Sequence, residues 1–463
     1  MKTIKYLGML AVACLSLAFA SCSDDDDSID SRMSVSSIYL EDASSSVTNH
    51  DRLVDFARLG QLIRIEGTGF TGLKKIYING YETYFNNALM TDNNVWVTLN
   101  SKTPIAEADP EMRNKIRLYK SDSNYLDYDF VIRAASPSIT SIDNTLPMPG
   151  ETVTVFGANL QETTKLTLPG GIEVTSGITS DPDGEWYSFV MPDGVTEAGS
   201  IRSEGANGIA VTAESFNNNK CYIINFDGLG TQGSWSATYG PDDLVDDPLN
   251  SGRGKVCMLV PQSKLDESGV NGGVSNINGF WTAGNDDPAD DWNRMSEFLP
   301  SGAETLIKDL AVQFDVYVPE DWYLTGQVAI TLQNNLSNYG YGSDCTKPST
   351  QYINQAYAWV PWMDRETGEA TPFNTDGRWQ TVTIPLTSFG NYNDDDGTTT
   401  FQKVVDDRNS GSYRNFGFLF CNADVVFDEK HEYPATLFNQ KIYFDNFRIV
   451  PNVSEVVSDF PEE

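Results

Sequence analysis

One stretch of this chain occurs twice, and the repeat limits the folds open to it. Gly60-Gln-Leu-Ile-Arg-Ile-Glu-Gly67-Thr-Gly-Phe70 lines up, 90 positions on, with Gly150-Glu-Thr-Val-Thr-Val-Phe-Gly157-Ala-Asn-Leu160. The register continues: Lys75, Ile76, Ile78 and Gly80 fall on Lys165, Leu166, Leu168 and Gly170, and Trp96 falls on Trp186. Each copy reads as a strand, a tight glycine turn and a second strand, so the repeat predicts two tandem copies of one β module. Alternating runs at 62–65, 75–78, 95–99 and 116–119 support strands. No long segment carries a helical period, so the expected class is all-β. Pro137 opens the second copy, and the first has a polar insertion near 41–57. The modules are expected at 34–134 and 135–215.

Past residue 215 the character changes. Residues 221–450 hold seven of the nine tryptophans: Trp235, Trp281, Trp292, Trp322, Trp359, Trp362 and Trp379. This part is expected to form one large β-sandwich over 216–455, in keeping with a prior of about three domains for the length. In 311–318, Val312, Phe314, Val316 and Val318 share one face, and Gln313, Asp315 and Tyr317 the other. In 328–333, Val328, Ile330 and Leu332 oppose Ala329, Thr331 and Gln333. One face of each strand is core. The other is small and polar, which suits a surface on which something lies.

Lys and Arg number 31 against 65 Asp and Glu, a net charge of −34. Such an excess argues against nucleic acid and against docking on anionic lipid. Only His50 and His431 are present, which argues against histidine dyads and histidine-rich zinc sites. Residues 1–21 read as an export leader: Lys2 and Lys5 precede an apolar run at 7–20 too short to span a bilayer comfortably. Phe19-Ala20-Ser21-Cys22 resembles a bacterial lipoprotein signal, which makes Cys22 the lipidated residue. Residues 22–33 form an acidic tether opening Ser23-Asp24-Asp25-Asp26-Asp27, similar to the surface-export signal of Bacteroidetes lipoproteins. An oxidising compartment permits disulfides among Cys221, Cys257, Cys345 and Cys421, but buried free thiols fit the apolar runs equally well.

The aromatic content of 216–455 points to polysaccharide. Sugar rings present axial C–H faces that flat aromatic side chains cover, while amides and carboxylates bind the hydroxyls. Tyr357 and Trp359 share a strand face, and Pro361 marks a bulge or edge able to turn Trp362 toward them. Trp322 sits in a polar loop at a strand end, and Trp281 in a Gly/Asn-rich loop. The expected glycan contacts are Trp322, Tyr357, Trp359, Trp362 and Trp281, with Gln333 and Gln313 as hydroxyl partners. Trp292 is a weaker candidate, and Trp235 and Trp379 are expected to be structural. No catalytic residue and no metal ligand is expected. Asp445 and Asp227 suit either a structural calcium or, for Asp445, capping of backbone groups. The acidic clusters at 242–247 and 394–396 lack the spacing of a calcium loop.

The repeated pattern resembles the immunoglobulin-like IPT/TIG module. Asn225-Phe-Asp-Gly-Leu-Gly230, Arg378-Trp379-Gln-Thr-Val-Thr-Ile-Pro385-Leu-Thr-Ser-Phe389 and Ile442-Tyr-Phe-Asp445-Asn-Phe-Arg-Ile-Val450 resemble jelly-roll carbohydrate-binding modules, whose first and last strands pair. With the lipoprotein leader, the order of parts resembles the surface glycan-binding proteins of Bacteroidetes polysaccharide utilisation loci. The resemblance implies Ig-like spacers, a distal xyloglucan-binding type domain and no catalysis. It also implies an outer-membrane lipoprotein facing the exterior that passes glycan to a SusC/SusD-like transporter. The family's aromatic platform carries over only onto Trp322, Tyr357, Trp359 and Trp362. A β-glucan such as xyloglucan or mixed-linkage glucan is the first expectation. The alternatives are a surface glycoside hydrolase, which needs two carboxylates flanking the bond, and an Ig-like adhesin that binds a protein.

Overall fold

The computed structural model describes residues 32–41, 51–230, 240–259, 278–282, 288–332, 356–393, 396–411, 414–422 and 424–459. The repeated glycines sit where strands cross too closely for a side chain. A Cβ on Gly67 would lie 1.9 Å from the Ser34 carbonyl oxygen, and one on Gly157 would lie 1.9 Å from that of Ser138. Both crossings coincide with a register shift in the opening strand of the module. Each module is a sandwich of two sheets. In the first, Asp51–Leu53, Ser34–Glu41, Leu62–Thr68 and Asn94–Thr98 form one sheet. Tyr81–Thr83, Lys75–Ile78, Lys115–Ser121 and Asn124–Asp129 form the other. The second module repeats the plan with Ser138–Ile142, Thr152–Ala158, Trp186–Val190 and Thr179–Ser180 facing Ile172–Val174, Lys165–Leu168, Arg202–Gly205 and Gly208–Val211.

The pairing corrects one part of the repeat. Arg64 pairs with Trp96, but Thr154, the counterpart of Arg64, pairs with Ser188. The matching strand of the second module is therefore shifted by two residues. Trp96 has Ser188, not Trp186, as its structural counterpart.

The chain divides into two compact units, Met1–Ala135 and Ser136–Glu463. The second unit holds the second module and the distal sandwich. The back sheet of that sandwich runs Val245–Asp246, Lys255–Leu259, Ile442–Pro451, Leu310–Tyr317 and Gln380–Pro385. Tyr222–Ile224 also pairs with Ile442–Pro451, so the first and last strands of the domain meet. The front sheet runs Asn278–Trp281, Gly417–Cys421, Gln327–Thr331 and Ala356–Trp359. Phe280, Val328, Ile330, Trp359, Phe418 and Phe420 pack from it against Phe314, Phe444 and Phe447 of the back sheet. Among the described residues one α-helix, Phe401–Ser410, accompanies the sheets of this nearly all-β fold. It buries Phe401, Val404, Val405 and Arg408, an i, i+3, i+4, i+7 stripe.

The polar side of the back sheet is covered by the second module rather than by ligand. Gln313, expected to meet sugar hydroxyls, is buried instead: its Oε1 accepts from Thr145 Oγ1 at 2.8 Å and its Nε2 donates to Thr383 Oγ1 at 3.0 Å. At the centre lies Asp315. It accepts from Arg253 at 2.8 Å, from both terminal nitrogens of Arg448 at 3.1 Å and from the Thr381 hydroxyl at 2.9 Å. The same two guanidinium groups reach across to the second module. Arg448 donates to Thr145 Oγ1 at 3.0 Å and Arg253 to the Leu146 carbonyl at 3.1 Å. The Thr145 N–H donates in turn to Thr381, and the Thr381 N–H to the Asp143 carbonyl.

Beside this joint, Trp379 is buried, and its indole N–H donates to Asp247 at 3.0 Å. Burial pushes the Asp247 carboxyl up. The N–H groups of Leu249 and Ser251, the Ser251 hydroxyl and the indole outweigh that and hold it below its ordinary value. A lowered folded-state pKa contributes stability above the unfolded value and loses it as pH falls through the folded one. Asp247→Ala should therefore cost about 1–3 kcal/mol at neutral pH. Urea melts of both proteins should converge below about pH 4, and a gap that stays constant with pH would refute this account.

Candidate functional site

The front sheet has two sides, and the structure places the expected platform mostly on the wrong one. Trp359 faces inward. It sits edge-on to Phe314 at 5.3 Å and to Trp322 at 5.6 Å, and little of it reaches the surface. Trp322 and Trp362 are wholly buried. Their indole N–H groups donate to successive carbonyls, Trp322 to Thr325 at 2.6 Å and Trp362 to Gly326 at 3.0 Å. They thus fix the turn that launches Gln327–Thr331. A polar loop with an apolar interior beneath it satisfies an indole better by burying the ring and pairing its N–H than by exposing it. These three tryptophans are core, and the expectation that they stack on sugar is corrected. Trp292 is core as well, stacked on Phe401 at 6.4 Å.

Trp281 lies on the outward side of the front sheet, as a ligand contact would require, but it is also buried. The residue packs over two glycines: a Cβ on Gly417 would come within 2.8 Å of the Trp281 Cβ, and one on Gly279 within 3.0 Å of its ring at Cζ3. Tyr357, half-buried on the edge strand Ala356–Trp359, remains partly open. The Arg365 guanidinium stands 4.2 Å over its ring and donates to the Ala358 carbonyl, and Phe389 packs at 5.8 Å. Burial pushes the Tyr357 hydroxyl up, opposed by Arg365. Gln333, Trp235, Cys345 and Cys22 lie outside the described residues. Cys221, Cys257 and Cys421 are buried.

Three features went unread in the sequence. Gln327, on the outward side of the front sheet, is fully buried, and neither its Nε2 nor its Oε1 has a partner among the described residues. A buried amide left so is costly and marks a place where a polar group is wanted. At the same end of the sheet, loops carry Tyr323, which is 41% exposed, the half-buried Tyr433 and the exposed Leu437. These loops are tied down: Thr325 Oγ1 donates to Asn422 Oδ1 at 2.8 Å, and Asn422 Nδ2 to the Thr436 carbonyl at 2.6 Å. The Tyr433 hydroxyl donates to the Gly368 carbonyl at 2.6 Å, and its ring meets Trp362 edge-on at 5.1 Å. Burial, then the Glu369 carboxylate and the Tyr323 phenol, push that hydroxyl up. The signal for Tyr323 was its neighbour: alternation that sends Trp322 inward turns Tyr323 outward.

Among the described residues the buried acids Asp315 and Asp445 are not placed for catalysis. Asp445 resembles a general acid in one respect: burial first, then Asp315, push its carboxyl well above the ordinary range against the pull of Arg253. Yet Asp315 and Asp445 are sealed from solvent, and Asp315 is held by two arginines on the back sheet. Asp445 accepts from the N–H of Asn446 at 2.8 Å, and Asp227 from that of Lys255 at 2.7 Å. Among the described residues no group of three or more His, Cys, Asp or Glu side chains is gathered to hold a metal.

The distal sandwich, residues 216–451, matches the family described as the surface glycan-binding protein B xyloglucan binding domain. The chain belongs to that family. Over 326 residues it is 26% identical to an IPT/TIG domain-containing protein of Bacteroides ovatus, covering 70% of this chain. It spans only 54% of that relative's length. The fold is similar to the crystal structure of the surface glycan-binding protein PbSGBP-B from Prevotella bryantii, with TM-score 0.62 and 17% identity. That match covers 91% of this chain and 99% of the other. An SGBP-B from a complex xyloglucan utilization locus in Bacteroides uniformis also matches, at 17% identity and TM-score 0.45, over 91% of this chain and all of the other. The family is described as one of surface glycan-binding proteins, and its match lies on the distal sandwich. Among the described residues no helix is long and apolar enough to cross a membrane.

Proposed function

We propose that this protein captures a neutral β-linked glucan, xyloglucan first, at the Tyr323–Tyr433–Leu437 end of the front sheet and passes it to a SusC/SusD-like importer. Cys22 would carry the lipid that holds it on the outer membrane, with residues 23–33 as its tether. The observation that carries the reading is the family match over 216–451, whose own description names xyloglucan. Charge supports it: a chain of net −34 repels acidic polysaccharides such as pectin and leaves neutral ones. Two tyrosines, one open and one half-buried, supply ring faces.

Affinity electrophoresis of the full chain tests this. Xyloglucan or mixed-linkage glucan in the gel should retard it and polygalacturonate should not. Tyr323→Ala should weaken retention roughly threefold to tenfold. Migration unaffected by any β-glucan, or release of reducing sugar by the pure protein, would overturn the assignment.

A further inference from the structure

The first Ig-like module carries an open groove. It lies on the outer side of the sheet that joins Leu62–Thr68 to Asn94–Thr98, with a volume of about 310 Å³. Leu62, Tyr84, Asn86, Leu89, Trp96 and Thr98 line it, and no charged side chain does. Tyr84 is 82% exposed and Leu89 60%. Exposure of this kind is unfavourable unless something covers the surface in use. The Trp96 ring is already oriented, because its indole N–H donates to Glu41 Oε1 at 3.0 Å.

The internal repeat acts as a control for folding. Leu62 and Trp96 correspond by register to Thr152 and Ser188 in the second module. Tyr84 follows Thr83, which pairs with Ile76. Its counterpart is Thr175, which follows Val174, the partner of Leu166. The inward positions stay apolar in both copies: Ile63, Ile65, Val95 and Val97 in one, Val153, Val155, Tyr187 and Phe189 in the other. The same sandwich therefore closes without the leucine, the tryptophan or the tyrosine. The groove is not a requirement of the fold.

We propose that this groove is a second saccharide-binding site, taking a short stretch of neutral glycan on the faces of Tyr84 and Trp96. Rings and leucine side chains cover C–H faces, while the Asn86 amide and the Thr98 hydroxyl sit within the same lining for sugar hydroxyls. The absence of charge in so acidic a chain suits an uncharged ligand better than an ionic one. The inference rests on the glycan-capture reading and extends it: one long polysaccharide would be held at two points, which slows its release.

The test uses the full chain in gels containing xyloglucan or mixed-linkage glucan, with Tyr84→Ala beside Tyr125→Ala. Tyr125 is a half-exposed tyrosine on the opposite sheet of the same module. Tyr84→Ala should bind roughly threefold to tenfold more weakly, and Tyr125→Ala should match the parent. Both are surface changes, and equal urea midpoints would show that both fold. If the parent is retarded and Tyr84→Ala is retarded equally, the second site is refuted while glycan capture stands. Equal retardation together with loss of a protein partner by Tyr84→Ala would give the groove to that partner, also against the proposal. If no glucan retards the parent, both readings fall together.

Discussion

Asp315→Ala should lower the unfolding free energy of residues 136–463 by about 3–5 kcal/mol, the cost of stranding buried charge. Arg253 and Arg448 are both almost without solvent contact, and Asp315 is the carboxylate that each of them meets at hydrogen-bond distance. Without it Arg253 is left with the longer contact to Glu151 at 3.4 Å, and Arg448 loses the carboxylate that both its terminal nitrogens meet. The hydroxyl of Thr381 loses its acceptor as well. Asp315→Asn keeps the shape and one acceptor oxygen, so it should fall between. Urea denaturation followed by tryptophan fluorescence measures both, and a loss below about 1 kcal/mol for the alanine variant would mean that water reaches the joint.

Trp322→Ala should cost a further large amount, about 3–5 kcal/mol, from the cavity and the lost indole bond. Trp322→Phe separates structure from recognition. It retains most of the ring volume and loses only the N–H donated to Thr325, at roughly 1–2 kcal/mol. The phenylalanine variant should melt earlier yet bind glucan as the parent does. Unchanged melting with lost binding would put this indole against the sugar and restore the sequence-based assignment.

Much of the fold was legible. Gly67 and Gly157 stood at matching positions because the same strand crossing imposes them, and the meeting of first and last strands was implied by the resemblance to jelly-roll modules carried by the motifs at 225–230 and 442–450. The helix Phe401–Ser410 went unread: it is ten residues long, and its stripe of Phe401, Val404, Val405 and Arg408 ends on a charged side chain. The site was less legible for a physical reason. Alternation divides a strand into two sides without saying what covers each. On Gln327–Thr331 both sides are buried, so a polar side does not imply an open one. Gln313 shows this most clearly: one of its two partners is Thr145, 168 positions away. Trp322 and Trp362 depend on loop carbonyls at Thr325 and Gly326, and no local pattern announces such a pairing.

The joint around Thr145 changes where this chain can be divided. Composition draws a border at 216, between a spacer and a binding domain. A fragment cut there would carry the back sheet with Gln313, Thr381, Arg253 and Arg448 stripped of their partners in 143–146, and its polar core would meet water. The smallest autonomous piece that keeps those partners begins at Ser136. The second module and the sandwich share one buried polar joint, so a substitution on either side of it is felt by the other.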